Sequence, residues 1–182
     1  MPIENEIAVF GGGCFWCTEA IFNELKGIIS AKPGYAGGSV DNPTYEQVST
    51  GKTGHVEVTR VEFNPSQISF KDLLTVFFGT HDPTSLDRQG NDIGSQYRSV
   101  IFYTTTKQKD ESTKVINELK KSGLNIVTEI RPLDVFYNSE DYHQKYYENH
   151  KDDPYCLLVI NPKLKKLKEK FSNLLKESSK NK

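Results

Sequence analysis

Cysteine and methionine are scarce in this sequence, and long apolar runs are missing. The 182 residues include three cysteines and one methionine, which is Met1. Three cysteines cannot form the disulfide framework of a small secreted protein, and the odd number leaves at least one thiol without a partner in the chain. The longest apolar runs, such as residues 156–160, are far shorter than the ~20 residues of a membrane-spanning helix, which excludes a transmembrane protein.

The N-terminus lacks the basic residues and the apolar stretch of a signal peptide, since Glu4 and Glu6 closely follow Met1. We therefore expect a cytoplasmic protein. Global disorder is excluded, because 36% of the residues are hydrophobic and 11% are aromatic. The length suits one compact core, and we predict a single domain over residues 1–182.

Charge is nearly balanced overall but unevenly placed. The net charge of −1 argues against nucleic-acid or anionic-membrane binding by the chain as a whole. Residues 163–182 carry +6, whereas residues 1–162 carry −7. The apolar residues of the basic segment recur every three or four positions, at Leu164, Leu167, Phe171, Leu174 and Leu175. We predict a docked amphipathic helix at about 163–177 with a solvated basic face; a nucleic-acid or membrane patch is the alternative.

Short strands and helices alternate along the chain without an internal repeat. Apolar alternation and turn residues predict strands at 6–10, 28–35, 55–63, 97–103, 126–131 and 155–160. Helical spacing predicts helices at 14–26, 44–50, 69–78, 107–121 and 140–150, with a long polar loop at 81–96. This order favours the α+β class: a two-layer α/β sandwich with a ferredoxin-like core and a mixed, mainly antiparallel sheet.

The segment from Gly11 to Cys17 carries the clearest chemical signal. Three glycines lead directly into a helix that begins near Cys14, where the positive end of the helix dipole favours a thiolate. Cys14 is therefore a candidate nucleophile. The alternative is that cysteine occurs there only because a small residue fits a tight turn. Cys17 completes a C-x-x-C pair, which in the cytosol is either redox-active or half of a zinc site. No second C-x-x-C supplies the other zinc ligands.

Two further segments contain groups suited to catalysis. Glu57 lies in an alternating strand on the same side as Val61 and Phe63, where apolar surroundings would raise its pKa and make it a general acid. A solvent-facing carboxylate is the alternative. Residues 88–98 are dense in hydrogen-bonding groups, but they hold a single aspartate and match no calcium loop.

With these segments assembled, the sequence resembles the peptide methionine sulfoxide reductases of type A, which act on the S epimer of methionine sulfoxide. The matching stretches follow the family's order across roughly residues 7–160. They are Gly13-Cys14-Phe15-Trp16, Gly34-Tyr35-Ala36-Gly37-Gly38, Asn42-Pro43-Thr44-Tyr45, Gly54-His55-Val56-Glu57-Val58, His81-Asp82-Pro83-Thr84, Gly90-Asn91-Asp92 through Gly94, Gln96-Tyr97-Arg98-Ser99 and Glu140-Asp141-Tyr142-His143-Gln144.

The resemblance implies a mechanism for the residues singled out above. Cys14 would attack the sulfoxide sulfur as a thiolate while Glu57 protonates the oxygen, and the hydroxyls of Tyr45 and Tyr97 would hydrogen-bond that oxygen. The product would be methionine and a sulfenic acid on Cys14. The remaining site residues are Phe15 and Trp16, as an apolar wall for the S-methyl group, and Asp92, as a supporting acid that orients a water or the substrate backbone.

The resemblance further implies that a second thiol converts the sulfenic acid to a disulfide. The expected reductant of that disulfide is thioredoxin, or dithiothreitol in vitro, and no bound cofactor or metal is expected. Many family members have glycine at the position of Cys17 and resolve with cysteines in a glycine-rich tail, which this chain lacks. We hypothesise that Cys17 resolves; Cys156 is the alternative, but in the predicted strand it would point into the core with Leu158 and Ile160.

Other readings of the sequence stay open. A general thiol-disulfide oxidoreductase would use the pair Cys14 and Cys17 without needing an acid such as Glu57. A zinc-stabilised binding module would use the same cysteines as metal ligands. We expect a monomer whose partners are methionine sulfoxide, free or in oxidised proteins, and thioredoxin.

Overall fold

A six-stranded sheet forms the centre of the protein. The structure, a computed structural model, describes residues 2–181. The strands of this sheet are β1 (Glu6–Gly11), β2 (Ile28–Ala36), β3 (Val56–Phe63), β6 (Val100–Tyr103), β7 (Glu129–Pro132) and β8 (Phe136–Asn138). A separate hairpin contains β4 (Arg88–Gln89) and β5 (Asp92–Ile93). The α-helices are α1 (Phe15–Asn23), α2 (Tyr45–Ser49), α3 (Phe70–Thr80), α4 (Thr106–Lys121), α5 (Tyr146–Asn149), α6 (Asn161–Lys170) and α7 (Glu177–Lys180).

The strand order is β7-β6-β1-β3-β2-β8. Every neighbouring pair in this sheet is antiparallel except β6 and β7. Helix α1 connects β1 to β2 and α3 connects β3 to β6, so the central strands follow a β-α-β-β-α-β order once the short α2 is set aside. The α+β class with a mixed, mainly antiparallel sheet is confirmed.

The sheet is strongly curled. Strands β7 and β8 lie at its opposite edges, yet only residues 133–135 separate them in the chain. Four Cα steps span at most ~15 Å, so the two edges approach each other. Arg131 of β7 reaches across and donates a hydrogen bond to the carbonyl of Gly37, just beyond β2, at 3.5 Å. The crossing segment covers a small apolar cluster formed by Val9, Ala36, Val56, Val58, Val100 and Phe102.

The main core lies on the other face of the sheet, beneath α1 and α3. Its centre is the ring of Phe10 on β1, with centroids 5.1 Å from Phe22, 6.0 Å from Phe70 and 5.0 Å from Phe77. These contacts hold α1 and α3 against β1. Since Cys14 directly precedes α1, the core fixes its position.

The strand predicted at 155–160 is wrong. Residues Cys156–Ile160 form a π-helix that continues directly into α6. Cys156 and Ile160 are buried, whereas Leu157 and Leu158 are 49% and 76% exposed. This burial pattern has the spacing of a helix. A short run of apolar residues is not long enough to distinguish helical spacing from strand alternation. Cys156 is a buried thiol as expected, but it does not share a side with Leu158.

The helix predicted at 140–150 is interrupted. A 3-10 turn at Asp141–His143 is followed by the short α5, with Lys145 between them in the left-handed region at φ 52°. The buried carboxylate of Glu19 on α1 accepts a hydrogen bond from the Lys145 backbone N–H at 2.9 Å. Burial raises the pKa of Glu19 to about 7. This tertiary contact anchors residues 140–150 to α1 at Lys145, the position at which the predicted helix is interrupted.

The basic C-terminal segment docks as predicted, but it is not one helix. Helix α6 ends at Lys170, a 3-10 turn follows at Ser172–Leu174, and Leu175 forms a β-bridge with Leu25 at the end of α1. The side chains of Leu164, Leu167, Leu174 and Leu175 are buried.

Gly34 allows β2 and β8 to approach. A Cβ atom at Gly34 would lie 2.3 Å from the carbonyl oxygen of Tyr137 and 2.4 Å from the Phe136 ring. We expect Gly34→Ala to lower the free energy of unfolding by ~1–3 kcal/mol, because β8 must move outward. The measurement is the midpoint of urea unfolding. Lys32→Ala, exposed on the same strand, is the control and should change stability by less than ~0.5 kcal/mol. Equal midpoints for the two variants would contradict the prediction.

Candidate active site

Cys14 occupies the N-cap position of α1, immediately after the turn that leaves β1. Gly13 makes this turn possible, because its φ of +94° is strained for other residues and a Cβ there would lie 2.7 Å from the side chain of Gln89. The predicted placement of Cys14 at the start of a helix is confirmed. Its side chain is 8% exposed, so it lies at the floor of the site.

The thiols of Cys14 and Cys17 lie close enough for each to shift the pKa of the other. Burial raises the pKa of Cys14 well above its usual value, and the interaction with Cys17 and the nearby Glu57 raise it further. The interaction with Cys14 lowers the pKa of Cys17 to about 7, and the charge of Lys163 lowers it further. Burial of Cys14 thus opposes the thiolate that the helix start is predicted to favour.

Glu57 lies on β3 with its carboxyl group buried at 2% exposure. The carboxyl accepts a hydrogen bond from the backbone N–H of Phe15 at 3.2 Å, which places it beside Cys14. Burial raises its pKa to about 8, although the Phe15 and Tyr97 hydrogen bonds oppose the shift. The predicted apolar setting is confirmed and the solvent-facing alternative is wrong. At neutral pH this group is mainly a carboxylic acid able to donate its proton.

The hydroxyls of Tyr45 and Tyr97 face the same space. Burial raises the pKa of both phenols, and the charges of Glu57 and Cys14 raise both further. Tyr45 is held by Glu140, whose carboxylate accepts a hydrogen bond from the Tyr45 backbone N–H at 3.3 Å. Both phenols therefore stay protonated and can donate to an oxygen bound between them.

An aromatic group borders the site beside Cys14. Phe15 is buried, and the half-buried Trp16 stacks on Tyr146 at a centroid distance of 3.7 Å. The indole N–H of Trp16 donates to Nδ1 of His143 at 3.0 Å, so the proton of the neutral imidazole is on Nε2. Burial lowers the pKa of His143, which keeps the ring neutral. The sequence analysis gave no role to His143 or Tyr146; their signal was the concentration of aromatic and histidine residues at 142–150.

Asp92 has a partner that the sequence did not indicate. Its carboxylate accepts a hydrogen bond from the hydroxyl of Tyr155 at 2.8 Å, and the same hydroxyl lies 3.6 Å from the sulfur of Cys17. Asp92 is thus connected to the thiol pair through Tyr155. Cys156, next in the chain, is fully buried and close enough to Cys17 for their charges to interact.

Residues 2–181 contain no cluster of three or more His, Cys, Asp or Glu side chains arranged to hold a metal ion. Over the same residues, no helix has the length and apolar character needed to cross a bilayer.

The model of the peptide methionine sulfoxide reductase family matches residues 6–175, nearly the whole chain. The protein belongs to this family. Among relatives of this reductase, the enzyme named peptide methionine sulfoxide reductase MsrA from Saccharolobus solfataricus is 52% identical over 94% of this chain and 97% of the relative. The predicted enzyme class is confirmed: the protein reduces methionine sulfoxide.

Solved structures are similar to the reductase in fold. Reduced Mxr1 from Saccharomyces cerevisiae has a TM-score of 0.79 and 34% identity, covering 86% of this chain and 91% of Mxr1. Mxr1 in complex with Trx2 has a TM-score of 0.56 and 27% identity, covering 80% of this chain and 87% of that chain. The fold described above is therefore that of known members of the family.

Proposed function

We propose that this reductase acts on the S epimer of methionine sulfoxide, with Cys14 as the nucleophile and Glu57 as the acid. One observation carries the assignment of roles: a buried carboxyl group whose pKa is raised to about 8 lies against the residue that follows Cys14. A sulfoxide sulfur becomes electrophilic only when its oxygen is protonated or hydrogen-bonded. A neutral acid beside a thiol is the pairing that this reaction requires.

In the first step, the proton of the Cys14 thiol passes across the thiol pair to Cys17, whose pKa is about 7. The Cys14 sulfur then bonds to the sulfoxide sulfur while Glu57 gives its proton to the oxygen. Transfer of that oxygen to Cys14 forms the sulfur-oxygen bond of the sulfenic acid. It breaks both the bond between the two sulfurs and the sulfur-oxygen bond of the substrate. Methionine leaves reduced, and Cys14 is oxidised to a sulfenic acid. Glu57 regains its proton from solvent.

The surroundings of Cys14 support the remaining roles. Tyr45 and Tyr97 stabilise the oxygen as negative charge builds on it, since both phenols face Glu57 and Cys14. Phe15 and Trp16 hold the apolar S-methyl group. The handedness of the substrate follows from this division together with the approach of Cys14 to the sulfur, because the rest of the methionine side chain must then take the one remaining direction.

In the second step, Cys17 displaces the hydroxyl group of the sulfenic acid and forms a disulfide with Cys14. The proximity of the Cys14 and Cys17 thiols supports Cys17 over Cys156 as the resolving residue. The reductant of the disulfide is thioredoxin, since the related Mxr1 forms a complex with Trx2. We also propose that the enzyme works in the cytoplasm as a monomer without a bound cofactor.

The test of the proposed function is turnover of the separated epimers of methionine sulfoxide with dithiothreitol as reductant. We expect methionine from the S epimer and at least ~10²-fold less from the R epimer, because the R epimer exchanges the positions of oxygen and methyl group. Chromatographic quantification of methionine measures both rates. Activity on the R epimer alone, or on neither, would overturn the proposal.

A further inference from the structure

Three groups from separate parts of the chain form a continuous hydrogen-bonded path at Cys17. The Cys17 sulfur on α1 lies 3.6 Å from the hydroxyl of Tyr155, which directly precedes the π-helix. The Tyr155 hydroxyl lies 2.8 Å from Oδ2 of Asp92 on β5. All three side chains are buried or half-buried. The path therefore leads from the thiol to a carboxylate on a different element.

The hydrogen-bonding capacity of these groups fixes the direction of the path. A phenol has one proton, and a carboxylate can only accept, so the Tyr155 proton is donated to Asp92. The lone pairs of the Tyr155 oxygen are left to accept the S–H of Cys17. Burial and the charges of both cysteines raise the pKa of Tyr155, so the phenol does not ionise by itself. The Tyr155 phenol can therefore donate its proton only if it accepts another proton at the same time.

We propose that Tyr155 and Asp92 form a proton relay that deprotonates Cys17 in the resolving step. As the Cys17 sulfur bonds to the Cys14 sulfur, the Cys17 proton moves to Tyr155 and the Tyr155 proton moves to Asp92, which later releases it to solvent. The sulfur-oxygen bond of the sulfenic acid breaks, and its hydroxyl takes a proton from Glu57 and leaves as water. The Cys14 sulfur is reduced, the Cys17 sulfur is oxidised, and no other oxidant is required.

This inference rests on the proposed function and makes Tyr155 a catalytic residue of the second step, since it contacts a reacting sulfur. It also gives Asp92 a different task from orienting the substrate. The ring of Trp16 meets Tyr155 edge-on at a centroid distance of 5.6 Å. The aromatic wall therefore holds the relay in place.

The experiment follows one turnover without reductant in the wild type, Tyr155→Phe and Asp92→Asn. Rapid quenching measures the methionine formed, trapping with dimedone measures the sulfenic acid, and peptide mapping identifies the disulfide. At pH 6 we expect the ratio of disulfide formation to methionine formation to fall by ~10-fold in both variants, with sulfenic acid accumulating, because a thiol with a pKa of about 7 is then only about one-tenth ionised. Tyr137→Phe is the matched control, because Tyr137 donates to Asp41 at 3.0 Å in an equivalent pair away from the site; its ratio should equal that of the wild type.

The pH dependence separates a relay from a merely structural role. Without the relay, Cys17 must lose its proton directly to solvent, so the loss in Tyr155→Phe should be larger at pH 6 than at pH 9. A loss of equal size at all pH values would overturn the proposal, as would an unchanged ratio. A Cys14–Cys156 disulfide in the wild type would also overturn it, whereas failure of the wild type to form methionine would instead refute the proposed function.

Discussion

Replacing Cys14 by serine is expected to lower methionine formation from the S epimer by at least ~10⁴-fold, because a hydroxyl in this position is neither acidic nor nucleophilic enough to attack sulfur. The loss should already be present in the first turnover, before any thiol is needed for resolution. Quench-flow measurement of methionine formed per enzyme checks this.

Cys156→Ser is the matched control for the loss of a buried thiol. Cys156 is fully buried and lies on the π-helix rather than at the start of α1. It should form one equivalent of methionine at the wild-type rate. Urea unfolding of both variants separates a chemical effect from a loss of stability. First-turnover methionine from a folded Cys14→Ser variant would contradict the assignment of the nucleophile.

The second large effect is expected at Glu57. Glu57→Gln keeps the size of the side chain and an oxygen to accept the Phe15 N–H, but it removes the transferable proton. Sulfoxide reduction should fall by ~10²–10⁴-fold at pH 7. Reduction of a small-molecule disulfide through Cys14 and Cys17 should hardly change, because thiol-disulfide exchange requires no acid at an oxygen. Equal loss of both activities would favour a general thiol-disulfide oxidoreductase.

The pH profile supplies a second measurement for the same substitution. The wild-type rate should decline as pH rises through about 8, where Glu57 loses its proton. That decline should be absent in Glu57→Gln.

Glu57→Gln should lower activity but raise stability at high pH. Because the pKa of Glu57 is higher in the folded protein than its ordinary value of 4.5, the folded state binds more protons between pH 4.5 and about 8. The Glu57 contribution to stability is complete below pH 4.5 and is lost as pH rises through about 8. Thermal unfolding should therefore show Glu57→Gln gaining stability relative to the wild type as pH increases. A constant difference in stability across this range would contradict the raised pKa.

The residues that could be predicted from sequence are those whose setting is local. Cys14 follows from a glycine turn at a helix start, and alternation along one strand places Glu57 on the side of Val61 and Phe63, although both sides of β3 are buried at residues 56–59. The contacts of Tyr155 could not be predicted, because 138 positions separate it from Cys17 and 63 from Asp92. The burial of Cys14 and its proximity to Glu57 could not be predicted either, because both depend on the tertiary fold.

Fold errors had a similar origin. Residues 140–150 do have the apolar spacing of a helix. The helix is interrupted because the backbone N–H of Lys145 donates a hydrogen bond to Glu19 instead. Residues 156–160 are too few for their spacing to distinguish a strand from a π-helix, and their helical geometry comes from continuity with α6.

The curl of the sheet has a consequence for how the enzyme meets its substrates. Strands β7 and β8 are four and three residues long, and the chain that joins them passes over the opening between the two edges. Within residues 2–181, the six-stranded sheet thus has no long edge to which another backbone could add as a strand. Oxidised, partly unfolded proteins expose many unpaired backbone segments. An enzyme without a long exposed sheet edge can bind these proteins through the oxidised side chain and release them after repair without co-aggregating.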